Sequence, residues 1–313
     1  WEGTQERPFA TPQRGLEAAR AAADKNMRRQ LRIGPGRYYG VTLSLSARDS
    51  GLTVEAASGG KVFLYGGQPV AGWKKDGGKF WSAAIPGAKE GKLDFRAFVV
   101  NGRLAERARF PAEGFLRHKN EFKVRWMSTT GGGWERKPTV KELTTMNVNP
   151  GDLGGRPETK NAEITVYHQW DESLVGVASV DGDKIVFSNP AGHPPGAFGV
   201  DKYVIWNTLG GMLKPGQWFL DRVSGRVVYW PPESEDMEKT EAFFPTAESI
   251  ILCEGEKDDL LKDISIRGIN FSVTGTPLVA GGFGASKFAG ALSMNFTENC
   301  RVQDCSFSAV AGQ

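Results

Sequence analysis

The chain is poor in the residues that build disulfide frameworks and metal centres. Its 313 residues include only three cysteines and three histidines. Three cysteines give no disulfide framework, and we interpret them as small apolar residues of a buried interior. His118, His168 and His193 are too far apart in sequence to form a local zinc motif. We therefore predict no metal site built from these residue types.

The sequence also lacks a strong charge of one sign and a long apolar run. Its net charge is +3, which is too small to indicate a nucleic-acid partner. No apolar run approaches the roughly 20 residues that span a bilayer. No signal peptide is recognisable and the chain begins at Trp1, so we interpret its start as processed or trimmed. We predict neither nucleic acid nor membrane as a partner.

Several catalytic and cofactor motifs are missing as well. The glycine-rich stretch 281–286 lacks the G-K-[ST] ending and the helix of a phosphate loop. No G-x-S-x-G elbow marks a nucleophilic serine. Calcium would need an acidic cluster on one face, for which E-G-E-K-D-D at 254–259 is a weak candidate. Such charge runs are usually solvated turns, and we predict no cofactor.

The most informative feature that is present is an internal repeat. D-I-S-I-R-G-I-N-F-S-V-T-G at 263–275 returns 36 positions later as N-C-R-V-Q-D-C-S-F-S-A-V-A at 299–311. Each copy has two short strands of period-2 alternation joined by a polar kink. One such unit cannot bury its apolar side alone, so the repeat favours stacked coils. This pattern is typical of a right-handed parallel β-helix. Two unrelated hairpins of a sandwich are the alternative.

Both ends of the chain carry such short strands. In segment 1–72, Thr11 is a good N-cap and Pro12 suits the first helical position, which predicts a capping helix to about Lys25. Alternating stretches at 41–45, 52–56 and 62–64 then predict the first coils. Segment 246–313 resumes with a strand at 249–253. Its second repeat is lengthened by the glycine-rich loop 276–290.

The middle of the chain has a different texture. Segment 73–245 has longer, aromatic-rich strands with glycine-rich turns and no crossover helices, which favours an inserted antiparallel β-sandwich. Its stretch 127–160 is interpreted as a long surface loop. The predicted fold is therefore all-β: a right-handed parallel β-helix with an N-terminal capping helix, interrupted by an inserted antiparallel β-sandwich.

Several stretches resemble one protein family. G-T-Q-E-R-P-F-A-T-P before an Ala-rich helix resembles the start of pectate-lyase-like β-helix proteins. V-Y-H-Q-W-D-E-S, W-F-L-D-R-V-S-G-R-V-V-Y-W-P-P and D-I-S-I-R-G-I-N-F resemble the glycosidase-like branch that carries an inserted sandwich. Glycoside hydrolase families 120 and 141 belong to that branch.

The resemblance implies a bacterial, secreted or periplasmic glycoside hydrolase that acts on plant or algal polysaccharide side chains, as β-xylosidases or α-fucosidases do. In that family the catalytic carboxylates lie on β-helix coils beyond the position of Gln313. We therefore expect the chain to be an N-terminal portion, completed by a C-terminal segment or by a second chain.

The residues themselves identify no catalytic pair. Glycoside hydrolysis uses two carboxyl groups about 5 to 9.5 Å apart. The candidates on the predicted coils are Glu254, Glu256, Asp258, Asp259, Asp263, Glu298 and Asp304. We interpret them as solvated or turn residues, since Asp and Asn at kinks hydrogen-bond to local backbone.

Three residues are predicted to bind substrate. Trp170 can stack on the apolar face of a pyranose, and neutral His168 can donate a hydrogen bond to a hydroxyl. A buried tryptophan and a histidine bonded to backbone are the structural alternative. Arg109 resembles a family arginine near the groove entry, with a structural ion pair as its alternative role. Asn207 is interpreted as a turn or edge anchor.

Two other functions fit the same residues. A non-catalytic carbohydrate-binding or structural module would bind a glycan without converting it. A polysaccharide lyase would use β-elimination with a basic residue and often calcium. An oligosaccharide or polysaccharide is the predicted partner in all three cases.

Overall fold

A computed structural model of the protein describes residues 3–4, 6–21, 29–128, 132–153, 158–282 and 288–311. The regular secondary structure of the described residues is mostly β-strand, as the sequence predicts. The helices are short and are α-helical at Pro12–Ala21 and Val140–Thr144, and 3₁₀ at Ala47–Asp49, Pro150–Leu153, Ala197–Gly199 and Leu209–Gly211. Among the described residues, none of these helices has the length and apolar character needed to cross a membrane.

Both flanks of the chain contribute strands to three parallel sheets. The first sheet has the order Gln30–Ile33, Thr53–Ala56, Ser265–Arg267, Arg301–Gln303. The second has the order Gly36–Tyr38, Val62–Tyr65, Ile269–Ser272, Ser306–Ser308. The third has the order Leu43–Leu45, Ile251–Glu254, Leu292–Asn295. A short parallel pair joins Leu261–Lys262 to Thr297–Glu298.

The register of these sheets joins distant parts of the sequence. Val54 lies opposite Ile266, and Leu64 lies opposite Phe271, so the two flanks are direct neighbours. Ile266 in turn pairs with Val302 at the predicted 36-residue spacing. Phe271 likewise pairs with Phe307, and their rings stack 4.9 Å apart. The parallel pairing excludes separate lobes and a tail folded back as hairpins.

The corners of the repeat also recur at this spacing. Three pairs of residues 36 positions apart have left-handed backbone conformation: Asp263 and Asn299, Gly268 and Asp304, Val273 and Ala309. Asp and Asn tolerate this conformation and glycine adopts it freely. The side chain of Asn299 donates a hydrogen bond to Asp263, which links two equivalent corners. The predicted turn role of Asp263 and Asp304 is therefore confirmed.

One apolar interior is shared by the three parallel sheets. It includes Leu31, Leu43, Val54, Leu64, Ile251, Ile266 and Phe271, all fully or nearly fully buried. Each such side chain contributes about 1.5–3 kcal/mol relative to an exposed one. Leu16 of the first helix packs into the same interior, and Thr11 accepts a hydrogen bond from Arg14 N as the predicted N-cap. Residues 22–28, where the helix was predicted to continue, lie outside the described part of the chain.

Strands from the middle of the chain form mainly antiparallel sheets. The five-stranded sheet has the order Glu106–Arg107, Gln217–Asp221, Arg226–Tyr229, Trp81–Ala84, Lys74–Lys75, its first pair being parallel. The largest sheet has the order Arg109–Phe110, Lys202–Trp206, Glu163–Tyr167, Glu172–Asp181, Lys184–Phe187, Thr145–Asn147, with Leu116–Arg117 also on Lys202–Trp206. A hairpin pairs Trp126–Met127 with Gly133–Trp134.

A further antiparallel sheet lies where the chain leaves and re-enters the parallel sheets. Its order is Arg103–Leu104, Val99–Val100, Ala242–Pro245, Gly67–Pro69. Gly67 is required there, because a Cβ at this position would lie 2.2 Å from the carbonyl oxygen of Phe244. Phe95, Phe98 and Trp218 fill the core between this sheet and the five-stranded one.

The prediction of a long surface loop at 127–160 is wrong for much of that stretch. It contains a strand of the hairpin, the helix Val140–Thr144 and the strand Thr145–Asn147. Met146 and Val148 are fully buried because they alternate with polar neighbours along the edge of the largest sheet. Thr139 and Glu142 form a capping box for the helix, a signal that the sequence interpretation missed.

Candidate functional site

The turn between strands Glu163–Tyr167 and Glu172–Asp181 carries a buried polar group. His168 N donates to the carbonyl of Asp171 at 2.9 Å, which closes the turn. The His168 side chain is directed inward, with its Nε2 2.8 Å from Ser173 Oγ. The same hydroxyl accepts a hydrogen bond from Gly192 N at 2.8 Å. The turn therefore fixes both the backbone and the imidazole of His168.

A second histidine lies beside the first. The rings of His168 and His193 are perpendicular, with centroids 5.4 Å apart. His193 Nε2 lies 3.7 Å from Asp171 Oδ2, and the Asp171 side chain is nearly buried. His168, Asp171 and Ser173 lie in or beside the turn, and His193 follows at least 20 positions later. Together we call these four residues the polar group.

Burial keeps the imidazole of His168 neutral. Desolvation lowers the pKa of His168 to about 3, and the neighbouring His193 and His118 act in the same direction. Desolvation also lowers the pKa of His118 to about 4. The pKa of Glu172 is raised by desolvation and by the adjacent Asp171. Around neutral pH, His168 is therefore an uncharged donor and acceptor.

Three atoms of the polar group have unused hydrogen-bonding capacity. Among the described residues, His168 Nδ1, His193 Nδ1 and Asp171 Oδ1 are buried and have no hydrogen-bond partner. Leaving such a group unsatisfied costs about 1–3 kcal/mol. A ligand hydroxyl could satisfy them only after the residues around them move, because these atoms are inaccessible in this conformation.

Aromatic rings surround His193 of this polar group. We call Trp126, Trp134, Trp170, His193 and Phe198 the aromatic cluster. Trp126 and Trp134 come from the two strands of the hairpin and are perpendicular, with centroids 4.8 Å apart. Phe198 lies 4.7 Å from both Trp134 and Trp170. The rings of Trp126 and Trp134 each lie 5.8 Å from the His193 ring.

Two members of the aromatic cluster have features typical of binding sites. Trp170 is 51% exposed, so a face or edge of its indole remains available to a ligand. Phe198 has a φ of 59°, an uncommon conformation for an aromatic residue. Strained backbone of this kind is concentrated at functional sites.

A loop from the parallel sheets borders the site. Ala280 forms an isolated antiparallel bridge with Ser173 of the polar group. A Cβ at Gly192 would lie 3.3 Å from that of Ala280, so a glycine allows this close approach. Arg96 also donates to the carbonyl of Thr276 at 3.3 Å. The candidate site thus lies where the largest antiparallel sheet meets residues 276–282.

The third predicted binding residue has a different environment. Arg109 donates to the carbonyls of Pro111, Ala112 and Gly114 at 2.6–2.8 Å. Its guanidinium also lies 5.7 Å from the Trp206 ring. Among the described residues it forms no ion pair, so that expectation is wrong, and none of its contacts involves His168 or Trp170. The Nη1 and Nη2 groups of Arg109, which could have bound a carboxylate, donate instead to carbonyl groups of the short loop after its strand.

Asn207 has the predicted anchoring role. Its side chain is fully buried and bonds to the backbone of Asn161 and Leu220 at 2.8–2.9 Å. These bonds connect the largest antiparallel sheet to the five-stranded one.

Several candidate carboxylates of the parallel sheets lie in a turn or in a surface ion pair. Residues 256–259 form a tight turn, in which Glu256 N donates to the carbonyl of Asp259 at 2.9 Å. Glu298 forms a surface ion pair with Lys262 at 2.7 Å. Within the described ranges no three His, Cys, Asp or Glu side chains are grouped to hold a metal ion, and this includes the calcium candidate at 254–259.

A separate cavity lies elsewhere. It measures about 640 Å³ and is lined in part by Asn101, Tyr229, Glu235 and Thr240. Asn101, Tyr229 and Thr240 all donate to the Glu235 carboxylate, which is thereby fully engaged. Tyr229 is almost completely buried, so it offers no exposed ring face to a ligand there. The aromatic cluster is the better candidate for binding.

Sequence interpretation found His168 and Trp170 but missed most of their partners. Trp126, Trp134, His193 and Phe198 come from three separate segments, and only the folded chain brings them together. The stretch A-G-H-P-P-G-A-F-G at 191–199 contained a usable signal. Its prolines and glycines indicate a loop, and a histidine and a phenylalanine on a loop are candidates for binding residues.

Comparison with known proteins shows the fold. No family model matches the chain, and no curated protein matches it. A solved structure described as "Glycoside hydrolase" has a TM-score of 0.65 and 24% identity, over 88% of this chain and 49% of that one. "The complex structure of XylC with xylose" has a TM-score of 0.35 and 14% identity, over 100% and 41%, which is too low to establish a shared fold.

The first comparison shows that the chain has a glycoside hydrolase-like fold. The chain spans about half the length of the solved structure it matches.

Proposed function

We propose that this protein is carbohydrate-active and belongs to a glycoside hydrolase that acts on plant or algal polysaccharide side chains, in the manner of a xylosidase or fucosidase. The fold similarity to a glycoside hydrolase supports this proposal. The main support within the chain is the aromatic cluster, whose member His193 lies beside the neutral, buried His168. Sugar sites combine these features, since a pyranose has an apolar face and a rim of hydroxyls.

The proposed architecture is a right-handed parallel β-helix. In this proposal, segments 1–72 and 246–313 are coils of one helix, and segment 73–245 is an inserted β-sandwich. The three shared parallel sheets and the 36-residue register support it. A proposed secreted or periplasmic location agrees with a polysaccharide substrate that cells encounter outside the cytoplasm.

The proposed roles of the site residues follow from their surroundings. Trp170 provides an exposed stacking surface, and His168 is proposed to bind a hydroxyl group of the sugar. Arg109 is proposed to support the entry of the site by fixing the loop 111–114. The two-carboxylate mechanism is proposed to use residues outside this sequence, because candidate carboxylates of the described coils lie in a tight turn and in a surface ion pair.

Product analysis tests the proposal. The chain, and any longer form of the protein, is incubated with aryl xylosides, aryl fucosides and plant polysaccharides. Release of reducing sugar without an unsaturated product supports a hydrolase. An unsaturated product indicates a lyase instead. Glycan binding without any product indicates a binding module, and neither binding nor product contradicts the proposal.

A further inference from the structure

Five charged side chains meet where the largest antiparallel sheet contacts the five-stranded one. Glu163 is at the centre, with a side chain only 1% exposed, and forms ion pairs with three arginines: Arg96, Arg107 and Arg222. Asp94 pairs with two of them, Arg96 and Arg222. Burial would raise the pKa of Glu163, but the three arginines outweigh it and lower that pKa to about 2. We call these five residues the charged cluster. Breaking a buried pair of this kind is strongly destabilising, so the cluster holds its members in place.

Arg96 connects the charged cluster to the parallel sheets. Its Nε donates to Glu163 at 3.2 Å, and its Nη2 donates to Asp94. Its Nη1 donates to the carbonyl of Thr276 at 3.3 Å, on a loop of segment 246–313. The Arg96 side chain is only 5% exposed, and each of its three nitrogens has an acceptor. Arg222 belongs to the same cluster, but its described contacts all lie within the middle of the chain.

The same loop packs against the largest sheet at two further points. Leu278 reaches Gly176, where a Cβ would lie 3.0 Å from Leu278 Cδ2. Ala280 is buried and forms an isolated antiparallel bridge with Ser173. Gly176 and Ser173 belong to one strand, Glu172–Asp181. The loop therefore lies along this strand, and the arginine holds its beginning.

Ser173 connects the loop to the candidate site. It is fully buried, and its Oγ lies 2.8 Å from His168 Nε2 and accepts from Gly192 N at 2.8 Å. Close-packed interiors transmit displacements from one group to the next. A shift of the loop at Ala280 would therefore move the hydroxyl that orients the His168 ring.

We propose that Arg96 is a positioning residue of the candidate sugar site. It holds the loop 276–282 against the largest sheet, and the loop in turn fixes Ser173 and the His168 ring. This inference rests on the proposed function, because it concerns the same site. Arginine suits the role because its planar guanidinium donates in several fixed directions at once, whereas a lysine ammonium donates from a single point.

Two matched variants test this role. Arg96→Lys keeps the positive charge beside the carboxylates but cannot also reach the carbonyl of Thr276. Arg222→Lys weakens the same cluster without a contact to the loop, so both variants should lower the Tm. Hydrogen exchange in residues 276–282 is expected to accelerate by at least about threefold in Arg96→Lys alone. Equal acceleration in both variants, or none in either, would overturn the proposal.

Calorimetric titration with neutral xylo-oligosaccharides and fucosylated oligosaccharides gives the second readout. Arg96→Lys is expected to weaken binding by at least about threefold, and Arg222→Lys to bind as the wild type does. A loosened loop with unchanged affinity would show that Arg96 does not position the site. If the wild type binds no saccharide, the proposed function fails, whereas the exchange comparison still decides whether Arg96 holds the loop.

A third variant covers the case in which Arg96→Lys does not fold. Leu278→Ala loosens the loop from its own side and leaves the charged cluster intact. Its exchange in residues 276–282 should accelerate, and its affinity for the saccharides should fall as well. Faster exchange with wild-type affinity in Leu278→Ala would mean that the loop does not fix the site, which contradicts the proposal.

Discussion

His168 illustrates how a single residue acquires properties that its sequence position does not give it. The turn directs its ring toward Ser173 and away from solvent, so the ring loses hydration and stays neutral. A neutral imidazole differs from a charged one in that one of its nitrogens donates a hydrogen bond and the other accepts one, which matches a hydroxyl group. The same burial makes the stability of the protein dependent on pH.

Acidification should destabilise the protein well before the carboxylates titrate. The folded pKa values are about 3 for His168 and about 4 for His118, against an ordinary value of 6.5, so the unfolded state binds protons first as pH falls below 6.5. Each histidine then removes up to about 1.4 kcal/mol per pH unit. Urea unfolding at pH 7 and pH 5 is expected to show this loss.

The matched variant is His168→Gln, which keeps a polar side chain but does not titrate. Its stability should change less between pH 7 and pH 5 than that of the wild type. A steeper or equal dependence in the variant would show that His168 is protonated in the folded protein. Glu163 has a folded pKa of about 2 against an ordinary pKa of 4.5. Its main effect on the pH dependence of stability therefore falls below pH 4.5, outside the range from pH 7 to pH 5.

At the residue scale, sequence alone predicts little of the site. His168 and Trp170 are visible because they follow a strand directly, whereas His193 and Phe198 join them only through tertiary packing. The buried ion pairs of Glu163 with Arg96, Arg107 and Arg222 were not predicted at all. Glu163 and Arg107 are ordinary charged residues in short strands, and their burial depends on how two sheets meet.

At the scale of elements, the corners of the 36-residue repeat decide how the parallel strands stack. Equivalent corners use different residues for one backbone conformation: Gly268 has a φ of 68° and Asp304 has a φ of 53°. Period-2 alternation made the strand registers predictable, because only one phase buries Ile266 and Phe271. The same alternation in residues 145–148 was overlooked, since the nearby glycines and polar residues indicated a loop.

Replacing Gly268 at one corner should therefore lower the free energy of unfolding, whereas introducing glycine for Asp304 at the next corner should not. Gly268→Ala places a Cβ in the left-handed region, 3.3 Å from the Cβ of Ala56. We expect a loss of about 1–2 kcal/mol in the free energy of unfolding. Asp304→Gly should be neutral or slightly stabilising, because glycine adopts this conformation freely. Chemical denaturation of both variants checks this, and equal effects would contradict the assigned corners.

At the scale of the whole molecule, the two flanks depend on each other for stability. Thr53–Ala56 lies between a strand of its own flank and Ser265–Arg267 of the other. The interior that they share contains side chains from both flanks, so neither flank buries its apolar residues alone. Because of this mutual burial, the strands of the first flank stack on those of the 36-residue repeat at the end of the sequence.

Weakening one flank should therefore loosen the other. Ile266→Val removes one methylene from the shared interior, at a cost of about 0.5–1.5 kcal/mol. Hydrogen exchange is expected to accelerate in Thr53–Ala56, where Val54 lies opposite Ile266. Ile185→Val, an equally buried change in the core of the largest antiparallel sheet, serves as control and should leave exchange at Thr53–Ala56 unchanged. Unaltered exchange in both variants would mean that the flanks are energetically independent.

The most direct test of the proposed function is a calorimetric titration with neutral xylo-oligosaccharides and fucosylated oligosaccharides. Wild type is compared with Trp170→Ala and with Leu209→Ala, a control that removes an apolar side chain of similar exposure, 60% against 51%, from the 3₁₀ helix Leu209–Gly211. We expect Trp170→Ala to weaken binding by at least about tenfold, and Leu209→Ala to bind as the wild type does. Equal affinity in all three proteins, or no binding of any saccharide by the wild type, would contradict a sugar site at the aromatic cluster.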